Sequence, residues 1–275
     1  MQGAIAQIVA LTIHGNAFLQ HFQNSQGLDF QARNSTFKFC EWVRFTDLVS
    51  GASNFEERAY TADVHEWFEG LKKDGVCGVK MNYGASAASR VPDRMLVGFV
   101  GGGGKWSIET RRSSSSDFWK SRWQLGNRDR KDKRIWRVSY VRFLSRRPST
   151  QAQPEDLEQL RSELEQCLER ITQFSRSQNL EWFTRAFESG IVKLESPDPL
   201  ADIYHADIAP PGFLSLVASQ LLGSAQAAWV FGGMGSWNDQ GFEGQTQARY
   251  EQLSEELYQL LNRVIVAAAN SSTPG

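Results

Sequence analysis

Six apolar residues, Leu157, Leu160, Leu164, Cys167, Ile171 and Phe174, recur at alternating steps of three and four. Only an α-helix places residues with that spacing along one side, so the pattern predicts a helix of about 20 residues, roughly 30 Å long. Nothing upstream of residue 149 has this period over a comparable length. The chain therefore reads as two parts, a β-rich part over 1–148 and a mainly helical part over 149–275, expected to pack together as one compact unit. The fold class expected is α+β: an antiparallel β-meander with one inserted helix, followed by helices.

In the first part, the β-branched run "AIAQIVALTIHG" (4–15) reads as a strand. "FKFCEWVRF" alternates, with Phe37, Phe39, Val43 and Phe45 on one face and Lys38, Trp42 and Arg44 on the other. "DVHEWFEGLKKDG" is the inserted helix. Asp63 and Glu66 have capping-box spacing, Val64, Trp67, Phe68 and Leu71 form an apolar stripe, Lys72 and Lys73 suit the C-terminal end, and Gly75 suits the exit. Four or five strands are expected after it, at about 76–83, 94–100, 105–111, 118–125 and 134–144.

Beyond the 157–174 seam, a second helix is expected over "NLEWFTRAFESG" with Asn179 as cap and Gly190 as exit, and a third after the prolines of "PPGFLSLVASQLLGSA". "AAWVFGG" reads as a short buried strand. A last helix is expected from Thr246 to Ala269 with Tyr250, Leu253, Leu257, Leu260 and Val264 inward, followed by a frayed tail, "NSSTPG".

No apolar run reaches the roughly 18 residues of a membrane span, and the first residues lack a basic n-region and a cleavage site. These features give the expectation of a soluble, cytoplasmic chain with no membrane partner. Cys40, Cys77 and Cys167 form no CxxC pair, which argues against a disulfide framework or a cysteine-rich zinc site. Charge is uneven. Residues 101–150 hold 14 Lys/Arg against 4 Asp/Glu, whereas 151–275 hold 7 against 17. A basic middle and an acidic end either attract each other or recruit an anionic partner to the middle.

"LVGFVGGGGKWSIET" (96–110) sets four glycines before Lys105. A phosphate loop needs glycine six residues before its lysine and Ser or Thr after it; here those places hold Phe99 and Trp106. The glycines are therefore expected to turn the chain between two strands. Meander topology puts that turn at the same end of the sheet as "GNRDRKDKR" (126–134), making Arg128, Arg130, Lys131, Lys133 and Arg134 a candidate anion site. Arg111, Arg112, Arg146 and Arg147 are expected at the other end. Trp106, Trp119, Trp123, Trp136 and Tyr140 interleave with these basic residues, as single-strand nucleic-acid binding requires, although their alternation also suits a core.

"AAWVFGGMGSWNDQGFEG" (227–244) has Asn238 where a dinucleotide loop has its third glycine, so no nucleotide cofactor is expected there, nor any cofactor elsewhere. Its Trp237, Asn238, Asp239, Phe242 and Glu243 combine aromatic and acidic groups suited to gripping a partner. Of four histidines, only His205 and Asp207 have metal-ligand spacing, and no downstream histidine completes a facial triad. No GxSxG elbow occurs. Glu41 falls in phase with apolar neighbours, which demands a cationic partner, a bulge, or a catalytic carboxylate in a pocket. The function expected first is a non-catalytic protein that docks another protein through its helical part and the 233–244 loop. The alternative is a nucleic-acid or polyanion binder using the basic loops of 101–147, and after it an enzyme with Glu41 or Asp239 as acid or base.

Overall fold

A computed structural model describes residues 1–22, 30–50, 55–86, 90–148 and 153–274. The fold is α+β. A mixed six-stranded sheet fills most of the first half, and helices fill the second.

The first element corrects the sequence reading. Residues 4–15 lie in helix α1 (Gly3–Leu19), not in a strand, and every residue from Ile5 to Ile13 is buried. A helix enclosed on all sides has no polar face, so its 3.6-residue period leaves no trace in the pattern. Gln7 and Thr12 are the polar residues of that run, and the Gln7 Nε2 donates to the Thr36 carbonyl (3.1 Å) while its Oε1 accepts from the Tyr140 hydroxyl (2.9 Å). A single helical turn, α2 (Phe30–Arg33), and a 3-10 turn at Ser35–Phe37 lead into the sheet.

The strands are β1 (Cys40–Ser50), β2 (Phe55–Thr61), β3 (Gly78–Gly84), β4 (Lys105–Arg111), β5 (Ser115–Leu125) and β6 (Trp136–Pro148), in the order β2-β1-β6-β5-β4-β3. The expected meander holds from β3 to β6. β1, however, pairs parallel with β6, with Val43 opposite Val138 and Phe45 opposite Tyr140. Helix α3 (Val64–Lys73) joins β2 to β3. Asp63 caps it by accepting from the Glu66 N–H (2.8 Å), Val64, Trp67, Phe68 and Leu71 are buried, and Gly75 leaves it at φ 70°. On the inner face Phe45 stacks on Trp67 (4.3 Å between centroids) and on Tyr140 (5.3 Å), with Trp119 edge-on to Trp67.

The expected strand at 94–100 is absent. A single helical turn, α4 (Asp93–Leu96), stands there, and β3 pairs directly with β4, Gly78 opposite Arg111 and Gly84 opposite Lys105. The four glycines therefore turn the chain from α4 into β4 rather than joining two strands. Gly101, Gly103 and Gly104 take positive φ, and a Cβ on Gly102 would lie 2.0 Å from the Leu96 carbonyl oxygen. Their backbone points carbonyls rather than a cradle of N–H groups at its neighbours, since Gly103 O accepts from the Trp106 indole (3.2 Å) and the Tyr258 hydroxyl (2.8 Å).

The helical half comprises α5 (Leu157–Ser177), α6 (Glu181–Glu195), α7 (Leu216–Ala227) and α8 (Gly244–Asn270). The α5 seam is as expected, with Leu160, Leu164, Cys167 and Ile171 buried. Asn179 does not cap α6. It sits at φ 56° between α5 and α6, and Gly190 lies inside α6, where a Cβ would be 3.0 Å from that of Ala228. The expected strand at 227–233 is irregular chain that follows the end of α7, with Val230 and Phe231 buried.

The tail is not frayed as far as Pro274. It closes the exposed edge of β3. Asn270 donates to the Met81 carbonyl (2.9 Å) and accepts from the Met81 N–H (2.8 Å), and Asn16 of α1 does the same at Val79 (2.8 and 2.7 Å). Thr273 adds a bond to the Val79 carbonyl (2.9 Å). Two amides thus stand in for a seventh strand and protect the edge from pairing with other chains. Asn16→Ala strands the buried N–H of Val79, whose carbonyl keeps its bond from Thr273, and the expected loss of about 1–3 kcal/mol is read from the urea midpoint. An unchanged midpoint would show that the Asn16 amide does not support this edge.

Candidate nucleic-acid interface

The β5–β6 hairpin loop holds the five basic residues singled out above. Its neck closes through Gly126 N–H to Ile135 O (2.7 Å), and Lys133 takes φ 59°. Arg130 grips Asp132 with its fork (3.0 and 2.7 Å) and reaches Glu41 at 3.6 Å. Asp132 also accepts from the Arg134 N–H (3.1 Å), and these bonds, Arg130's first, hold its carboxyl down at about 2. Arg130 is therefore an internal strut. Arg128, Lys131, Lys133 and Arg134 are exposed, and none has a carboxylate within 4.0 Å among the described residues.

Glu41 answers its own puzzle in two ways. A register shift between Cys40 and Trp42 turns it away from the core, and Arg137 bonds it at 2.8 Å. The Arg137 hydrogen bond holds its carboxyl below the usual range, the reverse of what a general acid needs.

The loop continues into the outer face of the sheet, where Arg44, Lys120, Arg122, Gln124 and Arg137 are all exposed. The helices that touch the strands, chiefly α1, α3 and α8, lie on the inner face or at the β3 edge. Arg44 lies over the half-buried Trp42 ring (4.4 Å) and donates to Ser139 Oγ (3.2 Å). Arg122 is paired with Glu57, whereas Arg44 and Lys120 have no ion-pair partner among the described residues. Trp119 and Tyr140 belong to the core, and Trp123 and Trp136 are half-buried against each other (5.9 Å). Trp42 is an aromatic group turned outward with the cations. Its alternation with Arg44 was legible in the sequence; its place on the same face as the β5 cations was not, because β1 and β5 meet only through β6.

At the opposite end of the sheet Arg112 and Arg142 are neutralised, whereas Arg111, Arg146 and Arg147 have no ion-pair partner among the described residues. Asp117, buried, accepts from Arg112 (3.0 Å), Arg142 (3.0 Å) and the Arg146 N–H (2.8 Å), and Arg142 also forks onto Asp47. No hydrogen bond or ion pair among the described residues joins the glycine turn to the 126–134 loop.

The 233–244 loop is pinned rather than presented. Trp237 is 0 % exposed, boxed by Phe183, Phe187 and Tyr250, with its indole N–H donating to Ser254 Oγ (2.7 Å). This corrects the expectation of an exposed anchor at that residue. Phe242 is half-buried between Phe174 and Tyr250, Asn238 donates to the Arg94 carbonyl (2.6 Å), and Asp239 accepts from the Gly235 N–H. Asp239 and Glu243 remain exposed, with Met234 beside them fully so.

Two arrangements have the residue types of catalytic sites. Ser35 Oγ contacts His205 Nδ1 (2.8 Å) and Asp207, but the order is Asp–Ser–His. Asp207 bonds the serine and its N–H (2.7 Å), so it clamps the 35–37 turn instead of orienting the imidazole. Cys40 and His65 line a cavity of about 240 Å³, where burial pushes the thiol up to about 11, far from a reactive thiolate. Among the described residues no group of three or more His, Cys, Asp or Glu could hold a metal, and no helix is long and apolar enough to cross a membrane. No family model, curated protein or solved structure matches the chain.

Proposed function

We propose that this protein binds single-stranded nucleic acid along the β5–β6 hairpin loop and the adjoining outer face of β1, β6 and β5. One observation carries the reading: six cations without carboxylate partners among the described residues, Arg44, Lys120, Arg128, Lys131, Lys133 and Arg134, lie on a hairpin loop and a sheet face uncovered by helix, one of them stacked on Trp42. Unpaired cations hold phosphates, while an open sheet face with an aromatic ring and a guanidinium plane suits unstacked bases better than a duplex.

The test is fluorescence anisotropy with a labelled single-stranded oligonucleotide across a salt series. Six phosphate contacts at about 0.7 released counterions each give a log–log slope near −4, more than a hundredfold weaker binding between 50 and 200 mM salt. No binding, or a slope near zero, would sink the proposal, and tighter binding of a duplex of equal length would remove its single-strand part.

Partner docking through the helical half is the second reading. Met234 favours it, being fully exposed near Phe99 and Val100, with their segments in contact where Gly98 meets Gly232.

A further inference from the structure

A second open volume, about 1320 Å³, lies between the outer face of β3 and β4, the lead-in to α5 at Gln153–Leu157, and the flank of α8. Its floor is set by strand alternation. Val79, Met81, Ile108 and Thr110 are buried on the inner face, so Lys80, Asn82, Glu109 and Arg111 point outward into this volume. The register places Lys80 opposite Glu109 and Gly78 opposite Arg111, so Lys80 and Arg111 are diagonal neighbours.

The charges on this floor do not close. Glu109, buried, is already committed, accepting from Ser116 Oγ (2.6 Å) and more weakly from Asn82 Nδ2 (3.5 Å). Neither Lys80 nor Arg111 has a carboxylate within 4.0 Å among the described residues, and the Arg111 Nε is a buried donor with no hydrogen-bond partner. Burial and the adjacent Arg111 push the Lys80 ammonium down, with Glu109 opposing them. The facing wall is different. There Arg263 pairs with Glu155 (2.8 Å) and Glu163 (2.7 Å), and Arg170 with Glu256. Beside those closed pairs, half-buried Leu157, Leu260 and Val266 give the wall an apolar stretch.

We infer that this cavity binds a small amphipathic anion, its phosphate or carboxylate head between Lys80 and Arg111 and its apolar body against Leu157, Leu260 and Val266. A guanidinium fork with an ammonium matches either head group, and Arg111 Nε is a donor left unbonded among the described residues. The volume is much larger than an inorganic anion needs, and the wall facing the two cations is where an alkyl chain would leave water. The inference does not depend on oligonucleotide binding.

The test is calorimetric titration of the full chain with three probes: octyl phosphate, octanoate and inorganic phosphate. Saturable one-to-one binding of octyl phosphate or octanoate is expected, at least tenfold tighter than inorganic phosphate, and the tighter of the two identifies the head group. Lys80→Met and Arg111→Met each weaken it at least tenfold without lowering the melting temperature, because each relieves a like-charge contact. Should Arg111→Met fail to fold, Lys80→Met decides alone. A chain with Arg128, Lys131, Lys133 and Arg134 all changed to glutamine keeps the cavity and retains probe binding whether or not it binds oligonucleotides. Absence of saturable binding, or affinity unchanged by Lys80→Met, overturns the inference.

Discussion

Trp237→Ala lowers the unfolding free energy by about 3–5 kcal/mol, the range for truncating a fully enclosed aromatic side chain. The indole is 0 % exposed and is boxed by Phe183, Phe187 and Tyr250, and its N–H satisfies Ser254. Alanine leaves a cavity that rings anchored on α6 and α8 cannot easily fill, and it removes the indole's bond to the Ser254 hydroxyl. Denaturant unfolding followed by far-ultraviolet circular dichroism measures the loss without relying on the missing fluorophore. A loss below about 1 kcal/mol would mean that the 233–244 loop is not integral to the helical core. Met234→Asp is the companion measurement. That side chain is fully exposed, so its replacement leaves the unfolding midpoint unchanged while placing a charge on the apolar surface near Phe99 and Val100. If docking occurs there, capture of a partner falls with Met234→Asp at unchanged stability, and capture that is unaffected removes the second reading of function.

The contrast between these two residues shows what the sequence could disclose. Both stand in one glycine-rich stretch, where aromatic residues flanked by acids look like contact groups. Which of them is enclosed depends on α5, α6 and α8 converging from far along the chain. Helices α3 and α5 were legible because each buries one side only and its period survives in the pattern. Helix α1 was not, because burial on every side removes the polar phase. Glu41 was legible as a conflict, and two of the three expected resolutions, a bulge and an arginine partner, are present together. The β3 edge was illegible because Asn16 and Asn270 supply strand-like hydrogen bonds from opposite ends of the chain. In the basic loop the sequence located five cations but could not separate them. Arg130 differs from Arg128 only in having Asp132 and Glu41 within reach, a fact of register rather than composition.

Lowering the pH from about 6.5 toward 4.5 destabilises the protein by several kcal/mol, before most carboxylates titrate. Burial pushes both His14 and His205 down to about 4, with the nearby Asp207 pulling the other way without overcoming it. In the unfolded chain each titrates near 6.5. Between the two values the unfolded state binds protons that the folded state refuses, so stability is fully present above about 6.5 and falls as pH drops through the window. The slope approaches about 1.4 kcal/mol per pH unit for each histidine within the window. Carboxylates held below their usual range, such as Asp132 with its Arg130 fork and Glu155 with Arg263, add their own loss only further down, as pH falls below about 4. The two sources are therefore separable on the pH axis. Urea midpoints measured at half-unit steps between pH 7 and 4.5, at constant ionic strength, give the wild-type slope. His14→Gln and His205→Gln each remove one titrating group, so each should flatten that slope by about half whatever it does to stability at neutral pH. A slope that both variants leave intact would assign the acid sensitivity to other groups, and the Asp207–Ser35–His205 clamp would then tolerate a protonated imidazole at its end.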